Sequence, residues 1–143
     1  MGYRSIVCGV TGSEHARKAA LEAAGLARAN NANLTYVYAV DLEFLRGGRA
    51  GHGVEGTLET LGRKILDEVE QLAWEQQVNP RKVLMKGPVL EVLKKVVLEQ
   101  EADLLVLGHE ERTFFEKLLV KGDVEDHIDK LKRETGVEVT VIT

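Results

Sequence analysis

The apolar run Leu104-Leu105-Val106-Leu107 constrains this chain more than any other feature, because it contains no polar alternate. A strand with one face in water alternates apolar and polar residues. A continuous run reads as a strand covered on both faces, the habit of parallel sheets flanked by helices. The other apolar runs fit the same arrangement. Tyr3 to Gly9 reads as a strand that stops at Thr11-Gly12-Ser13, followed by an alanine-rich helix from about Ser13 to Asn30. Ala16, Ala20, Ala23 and Ala27 recur at helical spacing, and such small side chains allow a helix axis close to a sheet. Leu34 to Val40 forms a second strand.

Arg46 to Gly56 is too glycine-rich for a regular element and reads as a loop, either a lid or a long connection. Leu58, Leu61, Ile65, Val69 and Leu72 then mark the buried stripe of a long helix ending before Asn79-Pro80. Lys82 to Lys86 is the third strand. Gly87-Pro88 turns into a helix that buries Val89, Val92, Leu93, Val96 and Val97 and is closed by Glu99-Gln100-Glu101. Asp103 to Leu107 is the fourth strand, Val124 to Glu134 a further helix, and Val137 to Ile142 the fifth strand. Phe114, Phe115, Leu118 and Leu119 at near-helical spacing are expected in the core. Each parallel connection needs a crossover, so the alternation predicts a three-layer α/β/α sandwich with an open, Rossmann-like sheet of five parallel strands; right-handed crossovers leave few topologies, and the order expected is 3-2-1-4-5. With 143 residues the chain is expected to be one domain, 1–143.

In such a sheet a ligand crevice opens at the carboxyl ends of the strands, where the winding reverses beside the first strand. That places Val10-Thr11-Gly12-Ser13 opposite Gly108 to Arg112. The first helix would aim free N–H groups and a positive dipole end at an anion there. The segment 9–13 lacks the lysine and spacing of a Walker motif and reads as a strand-to-helix turn with Ser13 as N-cap. His109-Glu110-Glu111 reads as a solvated loop in preference to a metal or acid–base site. His127, between Asp126 and Asp129, reads as a surface-helix residue, and His15 and His52 likewise. Neither a metal site nor a catalytic residue is expected.

The order of these segments resembles the universal stress protein family. Ile6-Val7-Cys8-Gly9-Val10-Thr11-Gly12-Ser13-Glu14-His15 is similar to its opening strand running into Asp-Gly-Ser-Glu, and Ala32-Asn33-Leu34-Thr35 through Val40-Asp41 to its second strand. Gly87-Pro88-Val89 resembles its Gly-Asp/Glu-Pro turn, and Glu101-Ala102-Asp103-Leu104-Leu105-Val106-Leu107-Gly108 its Gly-Ala-Asp-Leu-Ile-Val-Met-Gly segment. The resemblance implies an adenine-nucleotide crevice in which the Val40 backbone meets the adenine. Nucleotide-binding members carry Gly-x-x-Gly, a spacer, then Gly-Ser or Gly-Thr around the phosphates. Here Gly108 matches the first glycine, but Glu111 replaces the second and Gly122-Asp123 the final pair, one residue late. Thr11 replaces the aspartate that resembles the family's ribose contact. Carboxylates beside a triphosphate repel it, increasingly as the site dries. The resemblance therefore implies a non-enzymatic stress-response regulator or adaptor with an altered crevice, requiring no cofactor. The alternative is an ATP-binding switch with slow hydrolysis, in which Arg112 or Mg²⁺ offsets the carboxylates.

The net charge of −4 and the absence of a basic cluster argue against nucleic acid. No stretch approaches a membrane span, and the start Met1-Gly2-Tyr3-Arg4 has no signal core, so a cytoplasmic protein is expected. The one cysteine, Cys8, lies among Ile6, Val7 and Val10 and is expected to be buried. Val137, Val139 and Val141 alternate with polar residues in an edge strand, and the resemblance implies that this strand pairs with its twin in a homodimer.

Overall fold

A computed structural model describes residues 2–10, 14–40, 52–108 and 124–142, of which 14–16, 52–55 and 124–128 are described for the backbone only. The elements are β1 (Ser5–Gly9), α1 (Glu14–Asn30), β2 (Asn33–Val40), α2 (His52–Glu75), β3 (Arg81–Lys86), α3 (Val89–Glu99), β4 (Leu104–Gly108), α4 (Val124–Thr135) and β5 (Glu138–Ile142). The five strands form one sheet in the order β3-β2-β1-β4-β5, every pair parallel, as the apolar runs predict.

Helices cover both faces of this sheet. Ile6, Cys8, Leu34, Tyr36, Leu104 and Val106 face α1 and α2, while Val7, Val37, Leu105 and Leu107 face α3 and α4. Leu104 to Leu107 thus divide alternately between two cores, which is why the run carries no polar residue. Cys8 is fully buried. Ala19, Ala20, Ala23, Ala24 and Ala27 line the inner side of α1 and leave room for Tyr36, whose hydroxyl donates to the Ala20 carbonyl at 2.8 Å. Burial, with a smaller effect of Cys8, raises the Tyr36 pKa and keeps the phenol neutral.

Two readings of the sequence are corrected in α2. The helix begins at His52, so the glycine-rich stretch is helical from 52 to 56. Glycine lowers helix propensity without forbidding the conformation, and the long amphipathic segment that follows carries the helix back through it. The buried stripe also differs, because Leu61 is 45% exposed. The contact line runs through Gly62, Ile65, Leu66, Val69 and Ala73 instead. At Gly62 a Cβ would lie 2.6 Å from both Leu84 Cδ1 and Tyr38 Cδ1, so α2 touches β2 and β3 where it has no side chain. Lys82 binds Asp67 at 2.8 Å and Glu70 at 3.0 Å, further tying β3 to α2. Hydrogen bonds from the Lys82 ammonium to Asp67 and then Glu70 hold its pKa above the ordinary lysine value.

The amino end of the sheet is closed by Asp103. Its carboxylate accepts the Arg4 N–H at 2.9 Å and the Ser5 N–H at 3.1 Å. Its own N–H donates to the Ser5 carbonyl, and its carbonyl accepts the Glu138 N–H. One residue therefore aligns the starts of β1, β4 and β5. On the α3–α4 face, Lys94 reaches Glu134 at 2.5 Å.

Two outcomes are expected. Gly62→Ala forces a methyl into Tyr38 and Leu84 and costs ~1–3 kcal/mol, whereas Gly56→Ala, with nothing within 4 Å of the added Cβ, stabilises by roughly 0.5–1 kcal/mol. Urea denaturation of both variants checks the opposite signs. The hydrogen bond from Lys94 holds the Glu134 pKa below its ordinary value. A depressed folded-state pKa contributes stability above the unfolded value, lost as pH falls through the folded one. The melting temperature of Glu134→Gln should therefore lie below that of the parent at neutral pH, and the gap should close in acid, below the ordinary carboxylate range.

Candidate functional site

The crevice end of the sheet is set by strand register. Cys8 pairs with Val106 and Gly9 with Val37, so β1, β4 and β2 finish on one side of the sheet at Gly9, Gly108 and Val40. The order β3-β2-β1-β4-β5 puts the reversal of winding between β1 and β4, where the ligand crevice of such sheets opens. Of the ten candidate residues, the structure describes Val10, Val40 and Gly108, and it brings all three to this end. Thr11, Gly12, Ser13, Glu111, Arg112, Gly122 and Asp123 lie outside the described residues, as do His109, Glu110, Phe114, Phe115, Leu118 and Leu119.

Val10 and Val40 are both buried, Val10 in the core between the sheet and α1 and α2. The Val10 N–H donates to the Val37 carbonyl at 2.9 Å, extending the β1–β2 ladder one residue past the strand. The Val40 carbonyl accepts the Gly87 N–H at 3.0 Å. Gly87 has φ +140°, which a residue with a Cβ rarely adopts, and this lets the chain turn from β3 straight into α3 at Pro88. Sequence reasoning singled out Val40 and the Gly87-Pro88 turn separately; the hydrogen bond joining them is a tertiary fact. Two strands far apart in sequence must be adjacent before it can form.

Gly9 has a different use from the one a phosphate loop would give it. A Cβ there would lie 3.1 Å from Leu107 Cδ2 and 3.3 Å from Leu93 Cδ2, so its bare backbone admits α3 to the sheet. Among the described residues, no group of three or more His, Cys, Asp and Glu side chains is placed to hold a metal ion, and no helix is long and apolar enough to cross a membrane.

Comparison with known proteins agrees with this architecture. Residues 2–142 match the model of the universal stress protein family. A universal stress protein of Methanocaldococcus jannaschii is 28% identical over 131 residues, covering 90% of this chain and 76% of that protein. A universal stress protein family member from Burkholderia pseudomallei has the same fold at a TM-score of 0.73 and 25% identity, over 98% of this chain and 96% of its own. The universal stress protein of Archaeoglobus fulgidus, solved in complex with dAMP, matches at a TM-score of 0.68 and 18% identity over 100% of both chains. With a family match that runs from Gly2 to Ile142 and a sheet of the predicted order, this chain belongs to the universal stress protein family.

Proposed function

We propose that this protein is a non-enzymatic regulator or adaptor of the stress-response kind, working as a homodimer, whose crevice disfavours a nucleoside triphosphate. The observation that carries this reading is the chemistry of the segment after β4. Gly108 is retained, while Glu111 and Asp123 stand where nucleotide-binding relatives are expected to present glycine and a hydroxyl. Each replacement puts a carboxylate where a triphosphate would spread its charge, and the repulsion increases as water leaves the crevice. Dimerisation is supported by the position of β5 at the end of the sheet, with Val139 and Val141 half-buried along it. An unpaired strand edge is stabilised when a second copy supplies the missing hydrogen bonds.

A second reading, an adenine-nucleotide switch, is favoured by one specific observation. The Archaeoglobus fulgidus relative holds dAMP, a ligand with a single phosphate. Val40, which by resemblance would meet the adenine, is unaltered in this chain and ends β2. A monophosphate places less charge near Glu111 and Asp123 than ATP does, so this crevice would accept AMP more readily. ATP would need Mg²⁺ bridging phosphate and carboxylate, or Arg112 as a counter-charge.

Calorimetric titration of nucleotide-stripped protein with AMP and ATP, with and without Mg²⁺, separates the readings. The adaptor reading expects no ATP binding at micromolar concentrations, and the switch reading expects AMP to bind more tightly than ATP without metal. Micromolar ATP binding in the absence of metal would defeat the adaptor reading and point to a switch in which Arg112 supplies the counter-charge. Replacing the carboxylates together, Glu111→Gly with Asp123→Ser, should improve ATP affinity at least tenfold if repulsion is the obstacle, a change of about 1.4 kcal/mol. Sedimentation at micromolar concentration should return a dimer; a monomer at every concentration would remove that part of the proposal.

A further inference from the structure

The first turns of α2 run over the ends of β2 and β3, since Gly62 meets Tyr38 and Leu84 and Glu59 one turn earlier reaches Lys86, and their composition makes them a weak helix. Gly53 and Gly56 both fall in this stretch, and a Cβ added at Gly56 would have nothing within 4 Å. Glycine is among the poorest helix formers, so these turns depend on ties to the rest of the molecule. Thr60 helps locally, its hydroxyl donating to the Gly56 carbonyl at 2.9 Å. The close packing of α2 on the sheet comes at Gly62, against Tyr38 and Leu84. One turn before it, Glu59 reaches Lys86 at 2.9 Å.

Lys86 ends β3, and the next residue, Gly87, donates its N–H to the Val40 carbonyl. Lys86 is also paired with Val40 in the β2–β3 register. The ion pair therefore connects the start of α2 to the turn that holds the end of β2. Glu59 and Lys86 are 25% and 55% exposed, so the pair is screened by water and salt and adds little to global stability. Its location gives it a local effect.

We propose that Glu59 and Lys86 form a positioning pair for the base end of the crevice: the ion pair pins the first turns of α2 to the Gly87 turn and so sets the wall against which an adenine rests beside Val40. The inference rests on the mononucleotide reading above. Removing either charge loosens that wall without touching the phosphate end, so the loss should be the same for adenosine, which carries no charge, as for AMP.

The test is calorimetric titration of AMP and of adenosine into the parent, Glu59→Gln, Lys86→Met, and the charge-reversed double variant Glu59→Lys with Lys86→Glu, with thermal melts alongside. The expected result is a loss of about two- to five-fold in affinity for both ligands in each single variant, at nearly unchanged melting temperature, and recovery in the reversed double. If the parent binds AMP and the single variants bind it equally well, or if only AMP weakens, or if the double variant does not recover, the positioning role is overturned while the mononucleotide reading stands. If the parent binds neither ligand, that reading is overturned and the inference goes with it.

Discussion

The register of β1 against β4 is the constraint on which the rest of the structure depends, and Asp103 sets it from the amino end. Its carboxylate takes two backbone N–H groups from the chain entering β1, and its own peptide group bonds Ser5 on one side and Glu138 on the other. A hydrogen bond to an ionised acceptor is about twice as strong as one between neutral groups. Ser5 adds a bond from its hydroxyl to the Gln100 carbonyl, and Tyr3 one to the Glu138 carboxylate. With the strand starts aligned, β1 and β4 end within one residue of each other, at Gly9 and Gly108, where the winding of the sheet reverses. Asp103 is thus a motif residue whose work is architectural, performed at the end of the sheet away from the ligand.

The layers stay together because helices approach the sheet through missing side chains. The inner side of α1 is alanine, α2 meets β2 and β3 at Gly62, and α3 reaches β1 over Gly9. Close approach leaves few voids and lets large groups such as Tyr36 fill the remaining space with a satisfied hydroxyl. The helices end by a shared device: Asn31, Gln77, Glu101 and Gly136 follow α1, α2, α3 and α4 with positive φ. The Ala32 N–H then returns to the Ala27 carbonyl and the Ala102 N–H to the Val97 carbonyl, capping the last turns before the next strand.

The family membership and the local chemistry bear on function at different ends of the crevice. Val10, Val40 and the Gly87 turn sit at strand ends whose positions follow from the sheet register. The segment after Gly108 differs from the pattern that the resemblance implies, with Glu111 for a glycine and Asp123 for a hydroxyl residue. A chain can retain the fold, and with it the crevice, while changing the ligand that the crevice tolerates, because the fold is held by the core and selectivity by a few rim residues.

Much of this molecule was legible in its residues. The unbroken Leu104 to Leu107 run demanded cover on both faces, the alternation of runs demanded crossovers, and crossover handedness left few orders, of which 3-2-1-4-5 is the one formed; α3 with its buried Val92, Leu93, Val96 and Val97 followed from spacing alone. The sequence by itself also shows Glu111 and Gly122-Asp123 where the family resemblance implies a glycine and Gly-Ser or Gly-Thr. Only the tertiary structure decided that Leu61 points outward, that α2 starts at His52, that Gly9 and Gly62 are contact points and that Gly87 bonds to Val40. The physical reason is one of range. Periodicity records whether a segment has a buried side, whereas the line along which two elements touch depends on the shapes of both, and those shapes meet only in the folded chain.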